Sequence, residues 1–298
     1  MILYYAMGGG LGHLVRARAV LHTLGLESRA AIVTASAHAA DPRVVGRVPV
    51  FRAPSAGERP ASDYRDWLTS LLTETAPEEI FVDTFPAGLL GEWNALADLP
   101  VVRGARRTYV GRLLRWSEYT TTLHVPPRLS FARGLFVEDL HPDHDAAMRS
   151  CCDDVRSLVL RDPPPDPTAD VANDAALANV LRMLPQRFWL VVHSGPQDEV
   201  VELVAYARDR QRYERNEDPL LLACPLGVID PLSDLLGATP IDVYPATALC
   251  HRAARVITAC GFNSMRQMWP IRERHAYLPF QRRFDDQFAR AERRRQTP

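Results

Sequence analysis

Residues 6–24, "AMGGGLGHLVRARAVLHTL", follow the apolar run "MILYY" and carry three consecutive glycines, then Gly12 and His13, into a segment of helical spacing. Leu14, Ala17, Leu21 and Leu24 fall on one face of that segment, the period of an amphipathic helix. A strand, a glycine turn and a helix in immediate succession open a parallel α/β unit, whose ligands gather at the carboxyl ends of the strands. Gly8, Gly9, Gly10 and Gly12 let a ligand approach the main chain, and the helix start turns free N–H groups and a positive dipole end toward it. His13 sits at that start, with Arg16 one turn further along. A neutral imidazole, of ordinary pKa about 6.5, accepts a proton from a hydroxyl or water near neutral pH. The structural alternative is a glycine turn that only packs strand on helix. The run is not a Walker A loop, since no Gly-Lys-Ser/Thr follows. Nor is it a dinucleotide fingerprint: "AAIVTASAH" ends in small and neutral residues instead of an acid, which argues against hydride transfer.

Working outward, short apolar runs rich in β-branched or aromatic residues recur as "AAIVTA", "VPVFRA", "EEIFVD" and "LPVVRG", with "DYRDWLTSLLTET" spaced as a helix. After the proline-rich break "LRDPPPDPTADVAND" the same grammar restarts in "RFWLVVHSG", "DPLLLACP", "PIDVYP", "ARVITACG" and "HAYLPF". The expected architecture is α/β, with two Rossmann-like domains of mainly parallel sheets facing across a cleft. The domains are expected at 1–160 and 161–298, with a linker near 140–170.

The bulk properties agree with a soluble, globular chain long enough for two domains of ordinary size. The chain has 298 residues, 47% of them hydrophobic, and 35 Lys plus Arg against 36 Asp plus Glu, so no chain-wide attraction to nucleic acid is expected. No apolar run reaches the roughly 20 residues of a membrane span, and the N-terminus lacks the pattern of a signal peptide. The five cysteines form no framework and no metal pattern, which points to reduced thiols, a cytoplasmic location and no metal ligands.

The second half carries the more specific signal. "RVITACGFNSMRQMW" (255–269) reads as a strand, a turn at Gly261 and a helix with Asn263 and Ser264 as N-cap candidates, a second anion-binding turn. In "LPFQRRFDDQFARA", Asp285, Asp286 and Gln287 are expected to start the last helix, where acid and amide groups can hold sugar hydroxyls or complement the helix dipole. Two anion turns, one per domain, suggest a nucleoside-diphosphate sugar.

At these residues the sequence resembles the GT-B superfamily of nucleotide-sugar glycosyltransferases, especially bacterial predicted glycosyltransferases and the lipid II-forming N-acetylglucosaminyltransferase. The matching pieces are "GGGLGH", "FVDTFPAGLLGE", "ACGFNSMRQ" and "LPFQRRFDDQ". The resemblance implies an N-terminal acceptor domain and a C-terminal donor domain, with no cofactor beyond the nucleotide sugar, UDP-linked as the family default. It assigns Gly261, Asn263 and Ser264 to the diphosphate, with Ser194 and Gly195 beside them and Gly10 and Gly12 of the first loop in the donor-contacting set. Asp286 and Gln287 would contact sugar hydroxyls. Gln267 stands where relatives commonly bind ribose through a glutamate. His13 would be the general base of an inverting, metal-independent transfer, and Asp83 would orient it or an acceptor hydroxyl, if it is not a capping residue. The sequence ends at Pro298, so the second domain is expected to be short at its C-terminus.

Two other readings are open. "GLGHLVRARAVL" also resembles the loop of the UDP-sugar hydrolase of the pseudaminic acid pathway, in which the same histidine would activate water. The third is a catalytically decayed GT-B module acting as a binding partner. "RGARRTYVGRLLRW" (103–116) offers arginines and aromatics to an anionic or lipid-linked acceptor at the inner membrane face, but reads more simply as a solvated helix face. The sugar, base and acceptor are left open.

Overall fold

β1 (Ile2–Tyr5) is buried at every residue, because parallel neighbours flank it on both sides: β2 (Ala30–Thr34) and β4 (Glu79–Asp83). Strands covered on both faces read as continuous apolar runs, which is how "ILYY" and "EIFVD" stand out. The computed structural model of the chain describes residues 1–54, 61–123, 125–164, 178, 182–224 and 237–296. It divides into two compact units, Met1–Pro164 with Arg283–Asp286, and Pro165–Arg282 with Gln287–Pro298. The proline-rich break lies outside the described residues from Pro165 onward.

The first unit adds β3 (Val50–Arg52), β5 (Arg106–Gly111), β6 (Arg133–Phe136) and β7 (Val155–Ser157). All seven strands are parallel, in the order β3-β2-β1-β4-β5-β6-β7. The order reverses between β1 and β4, which opens a crevice beyond their carboxyl ends. Leu3, Tyr5, Val33, Val82 and Trp93 form the core on one face.

Two expectations are corrected here. "LPVVRG" is not a strand: Pro100–Gly104 is a short helix with proline at its first position, where a missing N–H costs nothing. The strand is the stretch after it, β5, so "RGARRTYVGRLLRW" is not a solvated helix face. Tyr109 and Arg112 are buried. Arg107 donates to the carbonyls of Ser130 at 2.8 Å and Val102 at 2.7 Å.

The second unit contains β8 (Trp189–Val192), β9 (Leu220–Ala223), β10 (Thr239–Ile241), β11 (Arg255–Ala259) and β12 (His275–Leu278). They form a parallel sheet in the order β10-β9-β8-β11-β12. Alternation splits the strand residues between two cores: Trp189, Val191, Leu222 and Ile257 on one face, Leu190, Leu221 and Val256 on the other. This sheet also reverses, between β8 and β11. No helix among the described residues is long and apolar enough to cross a membrane.

Candidate functional site

The loop after β1 and the end of β4 meet at the first unit's reversal. The helix Leu11–Thr23 begins behind Gly10, an N-cap with extended backbone and no side-chain cap. Gly10 and Gly12 are exposed at this end, while His13 turns inward, leaving 16% of its side chain accessible. The turn is open to the ring only because Gly8 lacks a side chain: a Cβ there would lie 2.4 Å from His13 Cδ2. Gly8→Ala is therefore expected to displace the imidazole without unfolding the sheet. A shift of about 1 Å costs roughly 10²-fold in turnover, and steady-state kinetics with a thermal melt would separate the two effects.

His13 Nδ1 lies 2.8 Å from Asp83 Oδ2, at the last residue of β4. Asp83 is 1% exposed. Burial opposes its charge, but the Arg16 guanidinium and the hydrogen bonds from His13 and Arg16 hold its carboxyl well below the usual carboxylate range. An ionised carboxylate only accepts hydrogen bonds, so Nδ1 carries the proton and Nε2 keeps its lone pair. The Arg16 Nη2 atom 3.0 Å from Nδ1 is then a neighbour rather than a donor to it. Arg16 donates instead to Asp83 Oδ1 through Nε at 2.7 Å and to Thr84 Oγ1 through Nη2 at 3.0 Å. The Tyr4 hydroxyl donates to Asp83 Oδ1 at 3.2 Å. Burial, and secondarily Arg16 and Arg112, pull the His13 pKa below its ordinary value despite Asp83, so the ring is neutral at pH 7.

Sequence reasoning placed Arg16 beside His13 but missed its bond to Asp83, and it missed Arg112 and Thr84. Arg112 donates to Thr84 Oγ1 at 3.2 Å and pairs with Asp285. The segment Arg283–Asp286 belongs to this unit: Phe284 packs against Phe85 and Tyr119, and its carbonyl accepts from the Arg115 N–H at 2.7 Å. Asp286 Oδ2 lies 3.0 Å from His141 Nε2.

In the second unit Ser194 and Gly195 follow β8, and Gly261 follows the neighbouring β11, so both turns leave the sheet at its reversal. Ser194 is exposed and Gly195 half-buried. Gly261 itself is the N-cap, so Asn263 and Ser264 do not cap: they are the second and third residues of the six-residue helix Phe262–Gln267, which Gln267 closes. The last helix likewise starts at Gln287, not at the two aspartates before it. Gln287 is 4% exposed, and its Oε1 accepts the Phe280 N–H at 3.0 Å.

One constellation here escaped the sequence reading. His193 Nε2 lies 2.9 Å from Glu199 Oε2, and Arg282 pairs with the same carboxylate. Gly195 makes room for this ring, as Gly8 does for His13: an added Cβ would lie 2.4 Å from His193 Nε2. The available signal was a histidine at a strand end with an acid in the first turn of the next helix.

No protein-family model matches the chain, and no curated protein matches it. Solved structures do. A UDP-glucose:anthocyanidin 3-O-glucosyltransferase in complex with UDP is 13% identical, over 99% of this chain and 84% of its own, with a TM-score of 0.57. The UDP-GlcNAc 2-epimerase of Methanocaldococcus jannaschii is 10% identical over 98% and 91%, with a TM-score of 0.55. Spinosyn forosaminyltransferase is 12% identical over 98% and 82%, also at 0.55. At such identities the likeness is one of fold alone: this chain has the GT-B fold, which these transferases and the epimerase share.

Proposed function

We propose that the protein is a GT-B glycosyltransferase that moves a sugar from a nucleoside-diphosphate sugar, UDP-linked in our reading, to an acceptor hydroxyl. The observation that carries this is the His13–Asp83 pair at the first sheet's reversal, with Nδ1 held by the carboxylate and Nε2 left as the acceptor. The acceptor oxygen bonds to the anomeric carbon as its proton passes to Nε2. The bond from that carbon to the phosphate oxygen breaks, and its electron pair leaves with the diphosphate. Displacement from the face opposite the diphosphate inverts the anomeric centre. Asp83 stabilises the imidazolium that forms. We assign the diphosphate to Gly261, Asn263 and Ser264, with Ser194 and Gly195 beside them, so that backbone donors take the leaving charge without a metal. Gln267 is assigned to the ribose, and Asp286 and the Gln287 amide to the sugar hydroxyls. Gly10 and Gly12 complete the donor-contacting set.

The first test is a calorimetric titration with UDP, dTDP and GDP, repeated on an Asn263→Ala, Ser264→Ala double variant. One nucleotide should bind and the double variant should lose it. Product formation from the matching sugar nucleotide, with and without added acceptors, then distinguishes transfer from hydrolysis by the same histidine. Absence of nucleotide binding at millimolar concentration would sink the enzyme reading altogether.

A further inference from the structure

Thr84 has a backbone that no β-branched residue adopts readily. It follows Asp83 with φ +69°, in the left-handed region. Across it the Phe85 N–H donates to the Asp83 carbonyl at 2.8 Å, forming a three-residue turn whose positive-φ form is rare and strained. Such strain persists only where the surroundings over-determine it, and here they do. Thr84 is fully buried. Its N–H donates to the Val110 carbonyl at 2.9 Å, and its own carbonyl accepts the Tyr109 hydroxyl at 2.8 Å. Two buried guanidinium groups converge on Oγ1, from Arg16 at 3.0 Å and Arg112 at 3.2 Å.

The residues on either side of the strained turn both address His13. Asp83 holds Nδ1 at 2.8 Å, and the Phe85 ring stacks on the imidazole with centroids 6.0 Å apart and planes 29° apart. An extended strand would carry residue 85 about 6.6 Å beyond residue 83, and the turn draws the two together. We infer that Thr84 is a positioning residue for His13: its strained turn sets Asp83 and Phe85 against the imidazole, and its hydroxyl accepts from Arg16, which is paired with that carboxylate, and from Arg112. The inference rests on the reading of His13 as the base, but its first readout needs no substrate.

The experiment is ¹⁵N-histidine NMR on the full chain without ligand, the His13 signal being identified by its loss in His13→Gln. Thr84→Gly accepts the positive φ but removes the hydroxyl, Thr84→Val keeps the branching and removes the acceptor, and Thr84→Ser keeps the acceptor. The charged groups facing the ring are Asp83 from β4, Arg16 from its own helix and Arg112 from the end of β5. Wild type and Thr84→Ser should share the Nδ1–H tautomer and one titration midpoint. In Thr84→Gly the tautomers should mix and the midpoint move away from the wild-type value, with kcat down roughly tenfold at unchanged KM. If Thr84→Val does not fold, Thr84→Gly decides the matter. A folded Thr84→Gly whose His13 signals and midpoint match wild type overturns the inference. A His13 response in a protein that transfers no sugar upholds the positioning role and removes the transferase reading instead.

Discussion

Replacing His13 with alanine is expected to lower turnover about 10²- to 10⁴-fold, the usual contribution of a general base, while leaving nucleotide affinity within a factor of two or so. The expectation follows from three properties of one side chain. Asp83 fixes the tautomer that leaves Nε2 as an acceptor, burial keeps the ring neutral at pH 7, and Gly8 leaves room for the ring at that position. The affinity should survive because the residues assigned to the diphosphate lie in the other unit. The pH profile supplies an independent check. A base works unprotonated, so activity should be full above pH 6.5 and fall only as pH drops through the lowered pKa of His13. An acidic limb centred above about 6.5, the ordinary imidazole value, would contradict the burial seen here. A His13→Ala variant with full turnover would remove the base assignment.

The parts of this site that could be read from sequence are those built on strand ends. "MILYYAMGGG" and "EEIFVDTF" announced β1 and β4 because both are apolar runs that stop at turn residues, and the neighbouring carboxyl ends bring His13 and Asp83 together. The same logic located β8 and β11 with their turns. What stayed hidden is chemistry that depends on tertiary partners. β5 was concealed by the arginines at its start, of which Arg107 donates to carbonyls instead of facing water along a helix. Arg112 reads as one more surface charge until Asp285, far along the chain, pairs with it. Thr84 gave no signal at all, since a β-branched residue is the last one expected at positive φ. Its conformation comes from the contacts around it rather than from local propensity.

Asp83→Ala is expected to destabilise the fold by about 3–5 kcal/mol at pH 7, the cost of breaking a buried ion pair from one side. Arg16 is 2% exposed and would keep its charge with no carboxylate to receive Nε. Tyr4 would lose its acceptor as well. The pH dependence has a definite sign. The folded-state pKa of Asp83 lies below its unfolded value, so its stabilisation is fully present above the ordinary carboxylate range, about pH 4, and is lost as pH falls through the lowered folded value. The gap between wild type and Asp83→Ala should therefore be constant from about pH 5 to pH 7 and narrow only in stronger acid. Chemical denaturation at both ends of that range measures it, and a gap that had already closed at pH 5 would contradict the assignment. The double variant Asp83→Leu, Arg16→Met separates the two duties of the carboxylate. Exchanging both members of a buried pair for apolar groups of similar size is often neutral, so most of the stability should return. Turnover should not, because His13 would have nothing to hold Nδ1–H and fix Nε2 as the acceptor. If activity recovered along with stability, Asp83 would be a structural partner of Arg16 and nothing more.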